Sequence, residues 1–129
     1  MRFLLDTCTL LWWFAGDDRI PPRVHERLSD PASEVLWSDV SALEIVIKQQ
    51  LGKLTLAAPA SRLLPVLAEK HGFELLSLSS AHIFGLEKLP PVHHDPFDRL
   101  LIAQALAEKL VLVTPDRAIA RYNVPLFWG

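Results

Sequence analysis

His93-His94-Asp95-Pro96-Phe97-Asp98-Arg99-Leu100-Leu101-Ile102-Ala103-Gln104-Ala105 opens an apolar helix with two carboxylates three residues apart, behind a pair of histidines. Asp95 is a preferred N-cap residue, Pro96 suits the first helical position, and an acid in the first turn is favoured by the helix dipole. The helix should run to about Lys109. Leu110-Val111-Leu112-Val113 follows, a short apolar run of the kind expected for a strand buried on both faces of a parallel sheet. Thr114-Pro115-Asp116 then places an acid just beyond the strand's end.

The same arrangement of buried strand, acid and helix recurs at the N-terminus. Phe3-Leu4-Leu5 reads as a strand, and Asp6 stands at its C-terminal end as a candidate cap of a helix over Thr9–Phe14. Trp12, Trp13 and Phe14 are adjacent, so one helix cannot bury all three on one face, and some must meet another element or another chain. Pro21-Pro22 starts a helix to about Leu28. Glu34-Val35-Leu36-Trp37 is a second strand, and Ser38 or Ser41 caps a helix with Val40, Leu43, Ile47 and Leu51 at helical spacing. Ser41-Ala42-Leu43-Glu44 matches the capping-box pattern, and Lys48 lies four residues beyond Glu44, so Glu44 has structural roles open to it.

Ser61 to Lys70 reads as a helix with Pro65 in its first turn, and Phe73 to Leu78 as a third strand. Ser79 or Ser80 caps a short helix to about Leu86. Val124 to Trp128 is a last strand, which Pro125 places at an edge or allows to pair only at its end. Strands near 2–6, 34–37, 73–78, 110–114 and 124–128 alternate with helices. That order specifies the α/β class: one three-layer α/β/α domain over 1–129 with a mostly parallel five-stranded central sheet.

Composition narrows the function classes. With 129 residues, half of them apolar, the chain can bury one sizeable core. A formal charge of −2 gives no overall attraction to nucleic acid, so binding of that kind needs a local basic patch or metal ions. The single cysteine, Cys8, excludes an internal disulfide. Mean hydropathy of +0.24 leaves apolar surface for a partner. Met1-Arg2-Phe3-Leu4-Leu5 begins like a secretion signal, but Asp6-Thr7 interrupts the run and no small-residue cleavage site follows. No stretch approaches the roughly 20 apolar residues of a membrane span. A cytoplasmic protein without a membrane segment is expected.

Right-handed crossovers put every strand's C-terminal end on one edge of the sheet, where open α/β sheets bind ligands. Asp6 and Asp116 project there, and the helices carrying Glu44 and Asp98 begin there. Each acid suits a helix cap. Gathered together, unpaired carboxylates would repel one another, and a divalent cation is the natural compensation. Oxygen donors without cysteine or an ordered histidine set point to Mg²⁺ or Mn²⁺, and His71 and His82 lack zinc-ligand spacing. A metal held by carboxylates suits phosphodiester hydrolysis.

Leu4-Leu5-Asp6-Thr7, Glu44-Ile45 with Lys48 and Leu51-Gly52-Lys53-Leu54, His94-Asp95-Pro96-Phe97-Asp98-Arg99-Leu100-Leu101-Ile102-Ala103-Gln104-Ala105 and Leu112-Val113-Thr114-Pro115-Asp116 resemble PIN domains. They resemble most the VapC-type ribonuclease toxins of toxin–antitoxin pairs, over essentially the whole chain. The resemblance implies that Asp6, Glu44, Asp98 and Asp116 hold Mg²⁺ for endonucleolytic RNA cleavage. It also implies a small cognate antitoxin and a homodimer as partners. Asp95 is a cap first and an outer ligand second. Leu43 stands where many relatives have Trp, and Pro115 where a small residue is common; neither change removes a ligand.

Two alternatives lie in other classes. A phosphoryl-acceptor domain is disfavoured, because Cys8 stands where a dehalogenase-type enzyme needs a second aspartate and no lysine follows the late strand as in a receiver. A non-catalytic interaction module would leave all four acids as caps. Arg19, Arg23, Lys48, Lys53 and Arg99 are the basic residues available to contact phosphate, each equally suited to a surface ion pair.

Overall fold

The computed structural model describes residues 1–93 and 95–129; His94, quoted above, lies outside the described residues. The chain runs β1 (Arg2–Leu5), α1 (Thr7–Ala15), α2 (Pro22–Ser29), β2 (Glu34–Ser38), α3 (Asp39–Gln50), α4 (Ala60–Lys70), β3 (Glu74–Leu76), α5 (Ser80–Phe84), α6 (Pro96–Glu108), β4 (Val111–Val113) and β5 (Leu126–Phe127). Short 3₁₀ segments cover Gly85–Lys88 and Arg117–Tyr122. The five strands form one sheet in the order β3-β2-β1-β4-β5, and every pairing is parallel. None of the described helices is long and apolar enough to cross a membrane.

Alternation along the strands builds two cores, one on each face of the sheet. Phe3, Leu5, Val35, Trp37 and Val113 point to one side, where α1 to α4 supply Leu10, Val24, Leu28, Ile45 and Leu64. Leu4, Leu36 and Leu112 point to the other, against Leu101, Ile102 and Ala105 of α6 and Ile119 and Tyr122 of the 3₁₀ segment. These are the three layers expected. The middle strand β1 is apolar at three successive positions because both its faces are covered, with Phe3, Leu4 and Leu5 all fully buried.

The edges are shorter than the sequence pattern suggested. β3 is confined to residues 74–76 and leaves Leu75 exposed, and β5 is confined to 126–127. Pro125 has no N–H to give the ladder, yet its carbonyl accepts from Leu112 N at 2.9 Å, so the strand pairs on one side only and ends the sheet. Two local expectations are corrected. Pro65 lies inside α4 rather than in its first turn; the carbonyl left without an N–H partner is that of Ser61, which is exposed to solvent. The capping box at Ser41 and Glu44 does not form, because Ser38 caps α3 by accepting from Val40 N, while Ser41 is buried and hydrogen-bonded to Thr7.

The aromatic run 12–14 is shared among elements of the same chain. Trp13 stacks on His25 at 4.8 Å between centroids and its indole N–H donates to His71 Nδ1 at 3.2 Å. Phe14 packs near Phe73, and Trp12 lies against Trp128 with the Arg19 guanidinium 4.4 Å from its ring centre.

A polar network ties the second face together. The Ser38 hydroxyl donates to Gln104 Oε1, and the Gln104 amide nitrogen donates to His82 Nδ1 at 3.3 Å and to the Ser77 carbonyl at 3.4 Å. His82 Nδ1 also accepts from Ser79 N, and its Nε2 meets Glu108 Oε2 at 2.9 Å. Gln104 is fully buried and joins β2, the turn after β3, α5 and α6. Gln104→Ala should cost about 2–4 kcal/mol in urea unfolding, because it opens a void and leaves buried polar atoms without partners. Glu34→Ala removes only an exposed ion pair with Arg2 and should cost about 0–1 kcal/mol.

Candidate metal centre

The strand order reverses direction at β1, so a crevice opens beyond the C-terminal ends of β1 and β4. β1 delivers Asp6 to it. The Asp6 amide donates to the Val113 carbonyl at 3.1 Å, which locks the end of β1 to β4, and Oδ1 caps α1 by accepting from Thr9 N at 2.8 Å. β4 delivers Asp116 through Thr114-Pro115. Its amide donates to Thr114 Oγ1 and its carboxylate caps the 3₁₀ segment at Ala118 N. Asp95 Oδ1 caps α6 at Phe97 N and Asp98 N, which leaves the Asp98 carboxylate free of capping. Glu44 lies in the second turn of α3.

Asp6, Glu44, Asp98 and Asp116 all line one cavity of about 490 Å³, together with Thr7, Asp95, Lys48 and Lys53. Asp6 and Glu44 are each 5 % exposed. A larger cavity of about 860 Å³ opens between α1 and α2 beside Trp12, Trp13 and His25. It holds none of these four acids; convergent chemistry, not volume, marks the smaller one.

The electrostatics of the cavity are unfavourable to the bare protein. Asp6 is held above the usual carboxylate range, first by burial and in part by the charge on Glu44, against hydrogen bonds from Thr114 and Thr9 that favour its ionised form. Asp98 is pushed up to about 6 by burial; Asp95 and Asp6 add to the shift and the hydrogen bond with His93 opposes it. Glu44 Oε2 is paired with Lys48 Nζ at 2.5 Å, but its Oε1 is buried with no hydrogen-bond partner. An orphaned carboxylate oxygen on a residue that shares its cavity with three aspartates is what a hard divalent cation would satisfy, so the donor set fits one.

His93 is the member the sequence reading did not assign. Its Nε2 lies 2.9 Å from Asp98 Oδ2 and 3.7 Å from Asp116 Oδ2. The available signal was its place five residues before Asp98, but the loop path that returns it to the acids follows from no local pattern. The basic candidates divide. Lys48 and Lys53 line the cavity, whereas Arg19 is bound to Asp17, Arg23 lies over Phe127, and Arg99 reaches the Leu89 carbonyl.

A pH dependence follows for the protein freed of metal. A carboxyl whose pKa rises from 3.8 unfolded to about 6 folded binds more protons in the native state between those values. Its contribution is therefore intact below about pH 4, is lost as pH climbs to about 6, and stays lost above. Asp98→Asn should remove this loss, so urea unfolding in EDTA should find the variant more stable than wild type at pH 7, with the difference shrinking toward pH 4. An equal difference at both pH values would contradict the assignment.

The PIN domain family model matches residues 3–125. No curated protein matches the chain by sequence. Among solved structures, VapBC2 from Rickettsia felis bound to a DNA fragment from their promoter aligns with a TM-score of 0.76 at 18 % identity, over 100 % of both chains. DNA-bound VapBC from Salmonella typhimurium aligns with a TM-score of 0.72 at 20 % identity, over 98 % of this chain and 97 % of that one. FitAcB from Neisseria gonorrhoeae follows at 0.62 and 16 %, over 97 % and 96 %. Identities this low speak to the fold alone. The family match, however, spans the sheet, the capped helices and the acids at their ends, and the chain belongs to the PIN domain family.

Proposed function

We propose that this PIN domain is a metal-dependent endoribonuclease, the toxin of a toxin–antitoxin pair, with Asp6, Glu44, Asp98 and Asp116 as the ligands of Mg²⁺, or of Mn²⁺ in its place. The observation that carries the proposal is the buried, unpartnered Oε1 of Glu44 in a cavity it shares with the three aspartates. A caps-only reading accounts for Asp6, Asp95 and Asp116, but not for Glu44 or Asp98, which cap nothing. The chemistry a bound divalent ion supplies is a water of lowered pKa and neutralisation of charge on the phosphoryl oxygens.

The chain's own residues do the positioning. Thr9 N–H fixes one oxygen of Asp6. Lys48 orients Glu44 from the adjacent helical turn. Lys53, which lines the same cavity, adds a positive charge available to a phosphodiester. RNA as substrate rests on the family resemblance. The antitoxin is supported by the shared fold with VapBC complexes, and a cytoplasmic setting goes with both.

A second copy of the chain is the other partner proposed. Trp12, Trp13 and Phe14 are largely taken up within the fold, so apolar surface for partners lies elsewhere: Leu43, Leu51 and Val66 on the α3–α4 side, and Ile83 and Phe84 on α5. Sedimentation at tens of micromolar should give a dimer, and a monomer would remove this part of the reading.

Structured RNA incubated with the protein should be cut in Mg²⁺ or Mn²⁺ and left intact in EDTA. Asp6→Asn and Asp98→Asn should each slow cleavage by about 100-fold or more, the loss expected when several kcal/mol of charge stabilisation is removed. Cleavage that persists in EDTA, or that proceeds at the wild-type rate in either variant, would overturn the mechanism. No cleavage with any metal would favour the interaction-module reading.

A further inference from the structure

The four carboxylates offer only oxygen, yet a nitrogen reaches two of them. His93 Nε2, Asp98 Oδ2 and a carboxylate oxygen of Asp116 lie within 4.8 Å of one another. Two donors bound at right angles, each about 2.1 Å from a common ion, stand about 3 Å apart, and opposed donors about 4.2 Å apart. The 2.9 Å between His93 and Asp98 matches the first separation, and the 3.7 Å between His93 and Asp116 falls between the two. In the bare protein that short contact is a hydrogen bond, and a cation placed between the atoms would take the position of its proton.

His93 is not a loose surface side chain. Only 24 % of it is exposed, and Asp98 is covered to a similar degree. The segment before His93 is tied to the helix bearing Asp98 where Arg99 donates to the Leu89 carbonyl, and is turned on itself where Val92 N donates to the Pro90 carbonyl. The imidazole thus stands in the segment before α6, the helix that bears one of these acids, and lies 3.7 Å from the other, Asp116. A simple ion pair would need only one carboxylate. Here two converge on one nitrogen, in a cavity that also holds the unpartnered Glu44 oxygen.

We propose that His93 is a nitrogen ligand of this centre, binding through Nε2 beside Asp98 and Asp116, and that it biases the site toward Mn²⁺ over Mg²⁺. The assignment rests on the metal-site reading above. Mg²⁺ prefers oxygen and gives up its waters reluctantly, whereas imidazole suits the transition metals, whose affinity for nitrogen rises from Mn²⁺ onward. Replacing one oxygen position by nitrogen therefore changes which ion the centre favours without changing its acids.

The test adds Mn²⁺ to the full chain, wild type and His93→Gln, and reads ¹⁴N coupling by pulsed EPR alongside calorimetric titration with Mn²⁺ and with Mg²⁺. The wild-type spectrum should carry the coupling of a directly bound imidazole, and the variant should lose it. Mn²⁺ affinity should fall about tenfold or more in His93→Gln, while Mg²⁺ affinity changes by less than about threefold. Mn²⁺ bound to wild type without ¹⁴N coupling, or coupling that survives in the variant, would overturn the His93 assignment while leaving the carboxylate centre standing. Failure of wild type to bind Mn²⁺ at all would overturn both. The wild-type spectrum needs no variant to fold, so the assignment stands or falls even where His93→Gln is unstable.

Discussion

Asp6 stands where the central strand ends, almost completely withdrawn from water, and the protein must itself satisfy a carboxylate there. It does so in part, with the Thr9 amide on one oxygen and a hydrogen bond from Thr114, but burial still raises the group above its ordinary range. The parallel sheet makes this situation unavoidable. Because β1 is flanked by β2 and β4 in the same direction, the residue after each strand emerges at the same edge, and a crevice forms where the order reverses. Capping requirements then draw acids into that crevice. The outcome is a cavity whose charges conflict with one another in the bare protein.

Such a conflict costs stability, and it sits beside the most deeply buried part of the apolar layers. Phe3, Leu4 and Leu5 are wholly buried, and Leu112 and Val113 beside them are too. The strands that bear the acids are therefore the best anchored, while the short edge strands β3 and β5 carry none of them. Lys48 moderates the conflict from one side, pairing with a single oxygen of Glu44, and His93 moderates it from the other by bonding to Asp98. Each partner engages a single carboxylate oxygen of the acid it meets. The local cost and the capacity to hold a cation have the same origin.

The polar contacts on the opposite face have a different character. Ser38, Gln104, His82 and Glu108 form a connected series in which successive groups are bonded, and no charge is stranded. Ser38 caps α3, the helix bearing Glu44, and Gln104 belongs to α6, the helix bearing Asp98. The distance across the crevice is thereby referred to a buried network rather than to loops. A satisfied network fixes the scaffold, and an unsatisfied group marks the site.

Much of this was legible locally. Runs such as Phe3-Leu4-Leu5 and Leu110-Val111-Leu112-Val113 match strands covered on both faces, and Asp95-Pro96 announces a helix start through its own backbone chemistry, so the α/β class, the parallel sheet and the place of Asp6 and Asp116 after strand ends followed from residue order. Other features depended on contacts between distant segments. Ser41 satisfies a capping pattern as well as Ser38 does, and only the packing of α1 against α3, which turns Ser41 toward Thr7, decides between them. Trp12, Trp13 and Phe14 had to meet another element or another chain, and only the fold, bringing His25, His71, Phe73 and Trp128 beside them, decides for other elements. His93 stands five residues before Asp98, a spacing that marks no ligand by itself, and its approach to Asp116 depends on a segment more than twenty residues away. Local sequence determines what each backbone segment can be, since caps, turns and alternation act over a few residues. Which side chains share a cavity is decided by the closing of the whole sheet, since that depends on every layer packing at once.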